Sequence, residues 1–173
     1  TLGNVPYYKV KIKTDASGAK YRQELYQSFP VTNAVKLDSL TILAQALNSS
    51  GSKMYVTVYD KSLSKEISKE TITLSATYGF QRFGFKTPVN QTDSFIIGFK
   101  MVNEIDSFLL SYSYSVFNSY DFGTAAAPKP FKSALPFTGD AFILSKDPVT
   151  DVIKEGLRFD FDFLIIPRFS YTF

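Results

Sequence analysis

Apolar and polar residues alternate with a period of two along most of the chain, the pattern of strands buried on one face. Tyr8, Val10 and Ile12 alternate with Lys9, Lys11 and Lys13. Leu40, Ile42, Ala44 and Ala46 share a face, and Met54, Val56 and Val58 alternate with Tyr55, Thr57 and Tyr59. Ile72 and Leu74 sit between Thr71, Thr73 and Ser75. Phe83 and Phe85 lead to Pro88, which is expected to end their strand because it lacks the N–H a ladder needs. Phe95, Ile97, Phe99 and Met101 return to the core, and Gly98 among them leaves a face thin or closely crossed. Leu110, Tyr112, Tyr114 and Val116 alternate with Ser111, Ser113 and Ser115. Leu157, Phe159, Phe161, Phe163 and Ile165 read as one further strand.

Turn residues separate these runs at 15–18, 48–52, 88–93, 103–106 and Asp147-Pro148. Only 62–70 and 149–155 have room for a helical turn, each too short to stand alone. Eight or nine strands at this spacing predict an all-β fold, an antiparallel two-sheet β-sandwich of the jelly-roll kind. One domain is expected over 1–173, with "GTAAAPKPFKSALP" at 123–136 as a long loop across one end of the sandwich.

Composition narrows the chemistry. The chain has neither His nor Cys. That excludes Ser-His-Asp and Cys-His catalysis and every zinc, haem or iron–sulfur site built on those ligands. The net charge is +3, without a Lys/Arg run that would mark a nucleic-acid footprint. No apolar run approaches the roughly 18 residues of a membrane helix. The nine Gly are scattered, so no phosphate-binding loop is present.

Four constellations remain. Asp160 and Asp162 lie two apart on one strand, with Asp140, Asp147 and Asp151 in nearby loops, as a structural calcium would want; a solvated strand face is the simpler reading. Tyr112, Tyr114, Phe117, Tyr120 and Phe122 form an aromatic stretch. Tyr112 and Tyr114 share a face with Leu110 and Val116 and read as core. Tyr120 and Phe122, with Asn118 and Asp121 as hydrogen-bonding partners, are the candidate sugar-stacking site. Lys9, Lys11 and Lys13 would attract an anionic polymer, or guard an edge strand against pairing. Asn48-Ser49-Ser50 and Asn90-Gln91-Thr92 match the N-glycosylation sequon.

The order of "YRQELYQSF", "AVKLDSLTILAQALNSSGSKMYVTVYD", "RFGFKTPVNQTDSFIIGFK" and "FDFLIIPRF" resembles the accessory β-sandwich domains of large secreted Bacteroidota proteins exported by the type IX system. The matching motifs fall at 40–44, 53–60, 81–99 and 162–167, with other aromatics where that group usually has Trp. The resemblance implies a secreted or cell-surface, non-catalytic module beside neighbouring domains. It also implies O-glycosylation of Asp-Ser-apolar motifs, at Ser39, Ser94 and Ser107; Asp-Ser is otherwise ordinary turn chemistry.

Three functions follow as expectations. The first is a spacer or adhesion/interaction domain without catalysis or cofactor, apart from a structural calcium. The second is a carbohydrate-binding module whose aromatic site lies near Tyr120, taking a glycan or surface polymer. The third is a jelly-roll capsid or filament subunit. All three are extracellular or surface roles without nucleic acid or a transmembrane segment.

Overall fold

The computed structural model describes residues 7–14, 16–29, 31, 34–103, 106–113, 141–158 and 162–171. Residues 114–122, with Tyr114, Phe117, Tyr120 and Phe122, and the 123–136 segment lie outside these, as do Asp140 and Asp160.

The strands run β1 (Tyr7–Val10), β2 (Ile12–Thr14), β3 (Lys20–Phe29), β4 (Val35–Ala46), β5 (Ser52–Asp60), β6 (Glu66–Leu74) and β7 (Gly79–Gln91). They continue with β8 (Phe95–Met101), β9 (Phe108–Ser113), β10 (Ala141–Lys146), β11 (Ile153–Arg158), β12 (Asp162–Phe163) and β13 (Ile165–Tyr171). Among the described residues no helix forms. Every pairing is antiparallel, and the strands make two sheets. A six-stranded sheet holds β1, β9, β4 and β13, with β7 on β4 and β12 on β9. A seven-stranded sheet runs β11-β10-β3-β8-β5-β6, with β2 on β3. The chain passes from sheet to sheet at β3–β4–β5 and again from β6 through β10.

The core lies between the sheets. Leu25, Phe95, Ile97 and Phe99 fill it from one side, and Leu37, Leu40, Ile42, Phe108 and Leu110 from the other. Polar atoms also stitch the layers: Gln27, on the inner face of β3, accepts the Phe163 N–H of the opposite sheet at 3.0 Å. Gln23 donates to the Tyr8 hydroxyl at 3.3 Å. Each buried amide is thereby paired rather than stranded in a dry core.

Four expectations change. Position 62–70 is not helical: a turn at 61–63 leads directly into β6, whose ladder with β5 runs from Ser52↔Leu74 to Tyr59↔Glu66. Position 149–155 is likewise a turn followed by β11, and the Asp147 carboxylate accepts the Val149 and Thr150 N–H groups, each at 2.9 Å. Pro88 does not end its strand; β7 continues through it to Gln91. There Leu37 faces Val89 and Ser39 faces Gly84, so residues 85–88 stand opposite Asp38 alone. The missing Pro N–H falls in that bulge, on a strand paired only with β4, where no ladder bond is lost.

The fourth change concerns two runs that read as single strands. Val10 belongs to the six-stranded sheet and Ile12 to the seven-stranded one. Leu157 pairs in β11 of the seven-stranded sheet, whereas Phe163 and Ile165 pair in the six-stranded one. β12 and β13 fit where β4 and β9 diverge: the Leu164 N–H reaches Ser111 O at 2.9 Å, and Leu164 O accepts from Leu43 at 3.2 Å. Crossing between layers preserves alternation, because both inner faces demand an apolar side chain every second residue.

Candidate functional site

The core-facing side chains are committed to packing, so recognition falls to the two outer faces. On the seven-stranded sheet, alternation in β3 turns Arg22, Glu24 and Tyr26 outward, since Leu25 and Phe29 join the core. This face builds a small second cluster of Tyr26, Ile96 and Phe142, flanked by Tyr59, Leu63 and Leu144. The Tyr26 ring stacks on Phe142 at 5.0 Å and 10°, and crosses directly over Gly98.

Beside it lies Glu24, only 1% exposed. It accepts from the Tyr26 hydroxyl at 2.9 Å and pairs with Lys146 at 3.2 Å and Arg22 at 3.4 Å. Arg22 also donates to Asp151. Burial first, and Glu24 second, hold the Tyr26 phenol far above its ordinary pKa. Burial lowers the Lys100 pKa, with Lys69 and Arg22 adding repulsion that Glu24 partly opposes. A buried carboxylate needs such partners to stay charged. The network pairs its carboxylates with its cations and holds the sheet's outer layer together, with Arg22 Nε left buried without a partner among the described residues.

The six-stranded sheet is different. Across three strands, Thr41 of β4 pairs with Arg82 of β7 and Ile166 of β13. Two residues along, Ser39 pairs with Gly84 and Arg168. Arg82 and Arg168 therefore stand diagonally across β4, with α-carbons about 12 Å apart from strand spacing and rise. Between them is an open depression of about 440 Å³, floored by Ser39 and Thr41 and walled by Ile166 and Pro167. Its size suits a small ligand or a short stretch of polymer. Gly84, at the corner, adds no side chain, and nothing lies within 4 Å of where its Cβ would be.

Both guanidinium groups are exposed, and neither pairs with a carboxylate among the described residues. Among the described residues, no carboxylate lines the depression. Ile166 in its wall is 54% exposed. Two exposed guanidinium groups and the Thr41 hydroxyl thus line a depression in which, among the described residues, no carboxylate takes part.

Of the residues singled out in the sequence, Ser39 lines this depression. Tyr120, Phe122, Asn118 and Asp121 fall outside the described residues, as does Asp160. Asp162 occupies β12 opposite Ser113. Of the further calcium donors, Asp147 caps its own turn and Asp151 is held by Arg22. Among the described residues no three carboxylates group as a metal site. Ser39 is 3% exposed in the middle of β4, which leaves no room for a glycan on its hydroxyl in the folded sandwich. Ser94 is half-buried, its hydroxyl accepting the Val31 N–H at 3.4 Å, and Ser107 is half-buried before β9. Lys9 and Lys11 are exposed along β1 and the crossing after it. Arg82 and Arg168, 86 positions apart, carry no sequence signal that joins them; only the register across β4 does.

No family model matches the chain, and neither does any curated protein. A solved structure described as "CBM4 structure and function" is similar at 12% identity, over 63% of this chain and 86% of its own, with a TM-score of 0.37.

Proposed function

We propose that this chain is a non-catalytic β-sandwich interaction module of a secreted or cell-surface protein, and that it binds through the outer face of its six-stranded sheet. The observation that carries the reading is the contrast between the two outer faces. On one, the buried carboxylate and its cations are paired with each other. On the other, two arginines line an open depression with no carboxylate partner among the described residues. A spacer has no use for two such uncompensated groups around a cavity, whereas a binding surface does. The resemblance to accessory domains of type IX-exported proteins supports the surface location and the role beside neighbouring domains.

The test is affinity electrophoresis of the purified chain through gels containing neutral or acidic polysaccharides, run with a reducing-end assay on the same polymers. Retardation without new reducing ends is the expected result. Release of reducing ends would overturn the non-catalytic reading. Unretarded migration in every gel, by a folded protein, would overturn the binding role.

A further inference from the structure

We propose that the depression between Arg82 and Arg168 is a subsite for an acidic polysaccharide, with the guanidinium groups gripping its carboxylate or sulfate substituents. This rests on the interaction-module reading and adds the ligand class. Guanidinium forks match planar or tetrahedral oxyanions through paired N–H donors, better than point-like ammonium groups do. Among the described residues, no carboxylate lines the depression to compete. The Thr41 hydroxyl suits a sugar hydroxyl, and the exposed Ile166 offers apolar surface to a ring C–H face.

The backbone argues for sugar over an acidic peptide. An extended peptide takes most of its affinity from main-chain hydrogen bonds to a free sheet edge. Here the floor strand β4 is paired with β7 on one side and β13 on the other, so its amides are already used. A peptide laid on this face would leave its own amides unpaired wherever it excluded water. A polysaccharide has no such requirement and can be held by side chains alone. An anionic membrane is a poorer match, since juxtamembrane recognition uses clusters of four to eight basic residues.

Binding is measured at about 0.15 M salt, where loosely placed surface charges are screened. The probes are dextran sulfate (sulfate only), polygalacturonate (carboxylate only) and unmodified dextran. Three double variants are compared with the parent chain: Arg82→Ala/Arg168→Ala, Arg82→Lys/Arg168→Lys and Lys9→Ala/Lys11→Ala. The first and third each remove two exposed cations, but from different places.

The expected result is binding to one or both acidic probes, weakened at least tenfold in the Arg→Ala pair and clearly weakened in the Arg→Lys pair. The Lys→Ala pair should bind as the parent does. The preferred probe then separates sulfate from carboxylate. Equal loss in both Ala pairs would mean general charge attraction and overturn the subsite. Binding to dextran alone would overturn the anion assignment and leave the module reading intact. Binding to none of the three, with retardation by another neutral polymer, would do the same. Binding to no polymer at all would overturn both. Each variant's thermal midpoint, expected to match the parent's because both arginines are exposed, separates loss of the site from loss of fold.

Discussion

Gly98 is the tightest point in the outer layer, and replacing it by Ala tests how firmly that layer is held. A Cβ there would sit 2.7 and 2.9 Å from two ring carbons of Tyr26 and 3.2 Å from Tyr59. The ring has little freedom to retreat. It stacks on Phe142 at 5.0 Å, and its hydroxyl is tied to Glu24 at 2.9 Å. Two effects favour Ala: reduced freedom of the unfolded chain, about 0.4–1 kcal/mol, and burial of one methyl, about 0.8 kcal/mol. Against them stands the displacement of a packed ring, with overpacking costing roughly 1–3 kcal/mol and more when the obstacle is pinned. Overpacking wins, and Gly98→Ala should lower stability by about 1 kcal/mol in urea unfolding followed by circular dichroism. The decisive measurement is the same substitution in a Tyr26→Ala background. With the ring gone, the two favourable terms remain and Gly98→Ala should become neutral or stabilising. A cost unchanged by removing Tyr26, or a Gly98→Ala protein as stable as the parent, would refute the steric argument.

The remaining predictions concern buried polar groups and a turn. Truncating Glu24 to Ala leaves Lys146 without its carboxylate partner and Arg22 with Asp151 alone, so it should cost about 3 kcal/mol; Glu24→Gln, which keeps the shape, should cost less, and equal urea midpoints for the two would argue that charge is unimportant there. Ser52 Oγ is buried without a partner among the described residues, so Ser52→Ala should gain about 1 kcal/mol. A calorimetric midpoint roughly 2–4 °C higher is the expected readout, and a lower one would mean the hydroxyl is satisfied. The Asp60 carboxylate accepts the Ser64 hydroxyl, the Lys65 and Ser64 N–H groups and the Ser62 hydroxyl, which hold its pKa at about 2. Its folded pKa is below the unfolded one, so the turn's stabilisation is complete above about pH 4 and lost as pH falls toward 2; an NMR titration giving Asp60 an ordinary carboxylate pKa would contradict this.

Alternation made the sandwich legible because burial on one face of a sheet leaves no other trace. Leu40, Ile42, Ala44 and Ala46, and Met54, Val56 and Val58, are buried as their spacing predicts. Gly98 was legible as a crossing point because a glycine inside an aromatic strand needs a reason, and the Tyr26 ring is that reason. The crossings at Val10–Ile12 and between Leu157 and Phe163 were not legible, since the period is the same in both layers. In β3 the pattern also hid a reversal: Gln23 and Gln27 face the core while Glu24 and Tyr26 lie outside, yet all four are buried. Polarity marks a position as exposed only when nothing covers the outer face. The arginine pair was illegible for another reason. It depends on which residues β4 brings into register, a relation that pairing fixes and composition does not record.

The same register separates face binding from assembly. A subunit that grows by strand addition needs a free edge with its N–H and C=O groups in line. The edges described here are interrupted. β1 carries exposed Lys9 and is followed by Lys11, and β6 carries exposed Glu66 and Lys69. β7 breaks its line with a bulge containing Pro88, and β13 holds Pro167 and Arg168 in its middle. The sequence of β11 includes Lys154, Glu155 and Arg158. Charges and proline at an edge raise the cost of docking another strand, because each incoming amide then meets a missing donor or a cation that must be desolvated. What such edges leave available is a face, and the Arg82–Arg168 depression lies on one. Guarded edges and an open basic face together favour a module that holds a ligand from the side over one that joins copies of itself end to end.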